Sequence, residues 1–223
     1  MKKNLPTIII VGLIVLVIGF VIYAMTRPED ANTSATNTER PTVEADPAKL
    51  SDGHTLGPND AKVTLSEFGD YQCPACGKYH PVVKDQILPK YEGKIKFVFL
   101  NYPLPIHKNA QAAAQAAEAV GLQSNDKFWN MHNILYERQS EWEKEKDPKP
   151  KFESYAREAG ANIDQYKKDF DSQKVVDIIN LQAALGDAYK IPGTPTFFVN
   201  GVMIDTENGV DAITQAIDKA LAQ

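Results

Sequence analysis

The feature that most constrains this chain is Phe68-Gly69-Asp70-Tyr71-Gln72-Cys73-Pro74-Ala75-Cys76-Gly77, which holds both of its cysteines. An apolar run with β character (61–68) leads into it, and a predicted helix over 75–91 follows. A strand that enters a helix through Cys-Pro-x-Cys places the first cysteine at the helix N-terminus. Free backbone N–H groups and the positive end of the helix dipole favour a thiolate there. Pro74 loses no hydrogen bond at the first helical position. The segment therefore predicts a reactive sulfur at Cys73.

Other interpretations of the two cysteines are less well supported. A structural disulfide between positions i and i+3 closes a very small loop and restricts the unfolded chain little. A structural zinc site needs four ligands, and the sequence has no second cysteine pair, although His80 follows Cys76 by one helical turn. Two inert thiols in a core are a further alternative, because cysteine is often buried. We favour redox chemistry.

The N-terminal part of the chain predicts a membrane anchor. Residues 5–25 are uncharged and mostly apolar, and a helix of that length spans about 32 Å, which matches a hydrocarbon core. A cleaved signal peptide would have a shorter apolar region that ends in small residues, whereas this run ends in Ile22-Tyr23-Ala24-Met25. Two lysines precede the run, so residues 1–4 are expected in the cytoplasm and the rest of the chain outside.

The segment between the predicted anchor and the cysteine region predicts a linker. Residues 26–53 are polar and poor in aromatics, and too little apolar surface is present to offset the loss of chain entropy. The segment is also too short to be a dimerisation domain. We therefore expect a flexible tether over 26–53 and a folded domain over 54–223.

The folded part predicts the order β, α, β, a helical block, a β-hairpin and a last helix. The expected strands cover 61–68 and 94–100, and Pro81 is expected to kink the helix over 75–91. Asn200-Gly201 joins two apolar runs and is a strong hairpin signal. The charged stretch 141–151 is expected to be a solvated loop. This order predicts an α/β fold with a mixed sheet and a helical insertion over about 105–190.

Two motifs in the sequence are similar to those of a known protein family. The motifs are Glu67-Phe68-x-Asp70-Tyr71-Gln72-Cys73-Pro74-Ala75-Cys76 and Gly193-Thr194-Pro195-Thr196-Phe197-Phe198-Val199-Asn200-Gly201. With the helical block between them, they resemble the DsbA family of thiol–disulfide oxidoreductases. That family has a thioredoxin fold with an inserted helical domain, and the resemblance covers about residues 54–223. With its predicted anchor, the chain is most similar to the membrane-anchored, BdbD-like members.

The resemblance assigns roles to matching positions. It implies that Cys73 is the exposed nucleophile and Cys76 its buried resolving partner, and that Pro195 is a cis-proline which, with Thr194 before it, faces the disulfide. Glu67 matches a buried acid that assists proton movement. From the residues alone, a carboxylate at the end of a core strand favours a raised pKa and a role as a base. A surface residue on an edge strand is the alternative for Glu67.

The resemblance also implies a function and partners. It predicts disulfide formation in exported proteins with free thiols, regeneration by a membrane DsbB-like or VKOR-like electron acceptor, no bound cofactor and a monomeric enzyme. The net charge of −5 and the lack of a basic patch with interleaved aromatics argue against nucleic acid. The most strongly oxidising family members carry a histidine between the cysteines, where this chain has Pro74-Ala75. A tethered reductase and a soft-metal chaperone therefore stay open as alternatives.

Overall fold

A computed structural model of the chain describes residues 44–46, 49–207 and 209–223. The predicted anchor over 5–25 and most of the predicted linker lie outside these residues. Across the described ranges, no helix combines the length and the apolar character that a membrane crossing requires.

The fold is built on one five-stranded mixed sheet with the strand order β1-β3-β2-β4-β5. Strand β2 lies at its centre, parallel to β3 and antiparallel to β4, so that Gly69 pairs with Asn101 and Glu67 pairs with both Phe99 and Phe197. The strands are β1 His54–Leu56, β2 Val63–Gly69, β3 Ile95–Asn101, β4 Thr196–Val199 and β5 Val202–Ile204. The predicted mixed sheet is confirmed, while β1 was not predicted.

The helix that follows the cysteine motif is interrupted where the sequence predicts a kink. Helix α1 (Pro74–Val82) contains Pro81 and passes into a π-helical turn (Val83–Ile87) and a short helix α2 (Leu88–Lys90). Proline has no N–H for the carbonyl four residues earlier, and such a gap in the hydrogen-bond ladder perturbs the helix. The interruption therefore follows from the sequence.

Six helices lie between β3 and β4, within the predicted insertion. Ser124, Asn162 and Ser172 cap three of them, since each side-chain oxygen accepts a hydrogen bond from the N–H three residues later. The helices are α3 Ala110–Gly121, α4 Asn125–Glu137, α5 Gln139–Trp142, α6 Lys149–Glu158, α7 Ile163–Phe170 and α8 Gln173–Ala188. The last helix, α9 (Asp211–Leu221), packs against β2 and β4.

Alternation along β2 decides which residues meet the cysteines. Leu65 belongs to the large core that also contains Cys73 and Cys76, whereas Phe68 belongs to a smaller core on the other face of the sheet. Side chains two residues apart share a face of a strand, so Glu67 lies on the same face as Leu65. The pleat therefore directs a carboxyl group toward the cysteine pair.

The folded unit begins before the predicted boundary at His54. Ala45 and Leu50, which fall in the predicted linker, are both buried. The backbone N–H of Ala45 donates to the carbonyl of Gly201 at 2.7 Å, and Leu50 joins the smaller core. These two apolar residues are enough to hold the polar segment against the domain, because they cover sheet surface that is otherwise exposed. The composition of the segment alone does not reveal this.

The charged stretch 141–151 is not a simple solvated loop. Trp142 ends α5 and is fully buried, with its ring 5.2 Å from that of Phe152 and its indole N–H donating to the carbonyl of Leu135 at 2.9 Å. A large aromatic side chain gains enough from burial to hold a short charged segment against the core. The neighbouring residue Gln139 is thereby placed beside the cysteines.

Candidate active site

The two cysteines occupy different positions at the start of α1. Cys73 precedes the helix with an extended backbone conformation (φ −67°, ψ 122°), and Pro74 is the first helical residue, as the sequence predicts. Both thiols are free. Cys76 is completely buried, and Cys73 is only 6 % exposed, less than the resemblance implies.

The segment that precedes β4 lies against Cys73. The Thr194–Pro195 peptide bond is cis, as expected from the resemblance. The Cys73 thiol donates to the carbonyl oxygen of Thr194 at 3.2 Å, across 121 positions of sequence.

The two sulfurs differ strongly in acidity. A hydrogen bond from the Cys76 thiol lowers the pKa of Cys73 to about 5, with further contributions from the Thr194 side chain and the backbone N–H groups of Ala75 and Cys76, against the opposing effect of burial. Burial raises the pKa of Cys76 well above its usual value, and the hydrogen bond to Cys73 adds to the effect. The pair therefore favours a thiolate at Cys73 and a neutral thiol at Cys76.

Glu67 lies inside the central strand, not on an edge, and is only 3 % exposed. Burial raises its pKa to about 8, and the negative charge of Cys73 adds to the effect. A carboxyl group with such a pKa holds its proton at neutral pH and can release it nearby. The alternative of a surface carboxylate is excluded by the strand order.

Asp70 organises the loop before Cys73, although the sequence gives it no role. Its carboxylate accepts from the backbone N–H of Gln72 at 2.7 Å and of Leu104 at 2.9 Å, and lies 2.6 Å from Nδ1 of His107. The Cys73 N–H in turn donates to the Asp70 carbonyl at 3.1 Å. The hydrogen bond from the Gln72 N–H forms a local aspartate turn, which can be recognised in the sequence. The contacts with Leu104 and His107, in the loop after β3, cannot be recognised there because these residues are distant in the chain.

Gln139 is a second residue that sequence reasoning missed. Its amide Nε2 donates to the carbonyl oxygens of Tyr71 at 2.7 Å and of Cys73 at 3.0 Å. No local pattern signals these bonds, because the partners lie more than sixty positions apart and on different elements.

His80, considered above as a zinc ligand, is buried among aromatic rings. Its ring stacks on that of Tyr136 at 5.0 Å and lies 5.3 Å from that of His132. Burial lowers the pKa of His80 to about 4, so the ring is neutral at physiological pH. In the described ranges, no group of three or more His, Cys, Asp or Glu side chains is arranged to hold a metal ion.

Comparison with known proteins agrees with this arrangement. The family described as Thioredoxin matches residues 49–219. The chain is 31 % identical over 171 residues to the probable disulfide bond formation protein D of Bacillus cereus, covering 75 % of this chain and 78 % of that protein. It is also 33 % identical over 170 residues to the Na⁺/H⁺ antiporter NhaA 1 of Salinispora arenicola, of which it spans only 25 %.

A solved structure extends the agreement to three dimensions. The crystal structure of oxidised BdbD from Bacillus subtilis superimposes with a TM-score of 0.73 at 29 % identity, covering 82 % of this chain and 99 % of that one. On this sequence and structural evidence, the chain belongs to the DsbA family of thioredoxin-fold thiol–disulfide oxidoreductases.

Proposed function

We propose that this enzyme works outside the cytoplasm and introduces disulfides into exported proteins through Cys73 and Cys76. The observation that carries the proposal is the opposite displacement of the two thiol pKa values, down to about 5 for Cys73 and far upward for Cys76. Such a pair makes one sulfur a stable thiolate and keeps the other protonated. The name of the Bacillus cereus relative, a probable disulfide bond formation protein, supports the same direction.

The proposed reaction starts from the oxidised pair. A substrate thiolate attacks the Cys73 sulfur, the bond between Cys73 and Cys76 breaks, and Cys76 leaves as a thiolate that takes up a proton. A second substrate thiolate then attacks the substrate sulfur of the mixed disulfide and expels the Cys73 thiolate. The substrate loses two electrons and gains a disulfide, and the enzyme gains the two electrons as the free thiols observed in the structure.

The neighbouring groups suit these steps. Glu67 is protonated at neutral pH and lies on the cysteine face of β2, so it would protonate the buried Cys76 thiolate and recover a proton when the enzyme is reoxidised. The Thr194 carbonyl, 3.2 Å from the Cys73 sulfur, would position the substrate chain next to Pro195. A stabilised Cys73 thiolate favours the reduced enzyme, which makes the oxidised enzyme a stronger oxidant.

The cellular arrangement follows from the N-terminal sequence. Residues 5–25 would anchor the protein, with residues 1–4 in the cytoplasm and the catalytic domain outside, where disulfides persist. A membrane DsbB-like or VKOR-like protein would accept the electrons of the reduced pair. Exported proteins with free thiols would be the substrates.

The reduction potential of the pair tests the proposal. The full chain is equilibrated with glutathione buffers, and the fraction of reduced Cys73 and Cys76 is measured. We expect a potential well above about −270 mV, the value of the reductant thioredoxin. A potential at or below that value would reject the oxidase and favour the tethered reductase. A tightly bound copper or zinc ion after purification under reducing conditions would instead favour the metal chaperone.

A further inference from the structure

We propose that Gln139 is a positioning residue that holds the carbonyl groups of Tyr71 and Cys73 and thereby orients the start of α1 toward the Cys73 sulfur. The proposal rests on the role of Cys73 as the attacked sulfur. The family resemblance assigns Gln139 no role, and it belongs to the helical block rather than to either motif. Its amide nevertheless reaches the backbone on both sides of Gln72.

The geometry of the contact is specific. A single amide nitrogen donates to two carbonyl oxygens, those of Tyr71 at 2.7 Å and of Cys73 at 3.0 Å. The Cys73 carbonyl also accepts the first helical hydrogen bond, from the N–H of Gly77 at 3.1 Å. Gln139 therefore fixes the last residues before α1. This orients the N–H groups of the first turn of α1 toward the Cys73 sulfur.

Gly77 makes room for the amide. A Cβ atom at this position would lie 2.8 Å from Oε1 of Gln139, 3.2 Å from Cδ and 3.3 Å from Nε2. The amide therefore lies directly against the first turn of α1, and any side chain at position 77 would displace it. A helical glycine is otherwise unfavourable relative to alanine, so this close approach explains its presence.

The link to thiol acidity is electrostatic. Carbonyl oxygens carry partial negative charge, and two of them close to Cys73 oppose a thiolate. Donation from Nε2 offsets part of that charge and aligns the N–H groups of Ala75 and Cys76, which lower the pKa of Cys73.

The main test replaces the amide with an apolar side chain of similar length. In Gln139→Met we expect the pKa of Cys73 to rise by about one pH unit and the equilibrium constant for oxidation of glutathione to fall about tenfold, because two hydrogen bonds are lost. The pH dependence of the alkylation rate of Cys73 and equilibration with glutathione measure the two quantities in the full chain.

A matched control is available in the helical block. Gln115 also donates from Nε2 to a backbone carbonyl, that of Phe170 at 3.1 Å, away from the cysteines. Gln115→Met should lower stability while leaving the pKa of Cys73 and the glutathione equilibrium unchanged. If Gln139→Met behaves in the same way, with only its stability affected, the role of Gln139 is structural and the inference is overturned.

A second variant keeps the test independent of whether Gln139→Met folds. Gly77→Ala favours the helix but pushes against the Gln139 amide, so it should raise the pKa of Cys73 in the same direction and by a smaller amount. The two substitutions should not add in the double variant, because they disturb the same contact. An unchanged pKa in Gly77→Ala together with additive effects would contradict the inference.

The wild-type titration separates this inference from the proposed function. A low wild-type pKa of Cys73 that neither Gln139→Met nor Gly77→Ala changes would overturn only the role of Gln139. A wild-type Cys73 with an ordinary thiol pKa would overturn the proposed function and the inference with it.

Discussion

Among the buried carboxyl groups of the described residues, those of Glu118 and Glu67 have contrasting surroundings. Glu118 lies behind β3, where one oxygen is 2.9 Å from Nε2 of His54 and the other accepts from the amide of Asn101 at 2.6 Å. Glu67 lies beneath the cysteines, and no described residue donates a hydrogen bond to its carboxyl group. The two residues are buried to a similar extent, Glu118 at 1 % and Glu67 at 3 % exposure. Their hydrogen-bond partners therefore distinguish them.

This contrast distinguishes a structural carboxylate from a reactive one. A paired carboxylate is held in position by its partners and connects elements, here β1 and β3 with α3. In an unpaired buried carboxyl group, desolvation disfavours the charged form and raises the pKa. Such groups occur at functional sites. The following predictions test this contrast and begin with the substitution that should matter most.

The first prediction concerns the paired carboxylate. Glu118→Ala should lower the free energy of unfolding by about 4 kcal/mol, because it leaves His54 and Asn101 without their buried partner. Chemical denaturation measures the loss, and the glutathione equilibrium of the cysteine pair should stay as in the wild type. A loss below about 1 kcal/mol, or a changed equilibrium, would contradict the assignment of Glu118 as structural.

The second prediction concerns the unpaired group. Folding raises the pKa of Glu67 from 4.5 to about 8, so the folded reduced protein holds this proton more tightly than the unfolded chain. Its contribution to stability is complete below about pH 4.5 and is lost as the pH rises to about 8. Glu67→Gln should therefore raise the free energy of unfolding at pH 7 by about 3 kcal/mol and flatten its pH dependence across that window.

The same substitution should impair the reaction. Without a carboxyl group beside Cys76, the rate of disulfide transfer to a dithiol peptide should fall on the order of 100-fold. Stopped-flow fluorescence of the two tryptophans offers the readout. A variant that is more stable yet equally fast would show that Glu67 is buried without serving the chemistry.

The third prediction tests the partner of Glu118. His54 stacks on Phe128 with ring centroids 3.5 Å apart, in addition to its contact with the carboxylate. His54→Phe retains the stacking and removes the polar contact, so it should cost about 2 kcal/mol, less than Glu118→Ala. Denaturation of both single variants and the double variant gives their coupling. Fully additive losses would mean that the two side chains stabilise the fold separately.

The fourth prediction supplies an exposed reference. Glu137 pairs with Lys84 on the surface, where water screens both charges. Glu137→Gln should change the free energy of unfolding by less than about 0.5 kcal/mol and leave the cysteine chemistry as it is. Thermal and chemical denaturation check the first part and thiol alkylation the second. A larger loss would indicate that burial does not explain why Glu118, Glu67 and Glu137 differ in their effects on stability.

Much of the fold is readable from local patterns. Three helix caps, the Asn200-Gly201 hairpin with both residues at positive φ, and the perturbation after Pro81 all depend on neighbouring residues. The errors fall where distant contacts prevail over local character. Leu50 is buried despite its polar neighbours, and Trp142 draws a charged stretch against the core.

The candidate site divides in the same way. Local sequence is enough to predict the strand, the Cys-Pro-Ala-Cys turn and the helix that begins at Pro74, because helix termini and turns are set by residues a few positions apart. Three features depend on tertiary packing: Glu67 lies in a central strand, Thr194 contacts Cys73, and Gln139 holds the cysteine loop. Those contacts join segments far apart in the chain, and packing, which no local pattern records, brings them together.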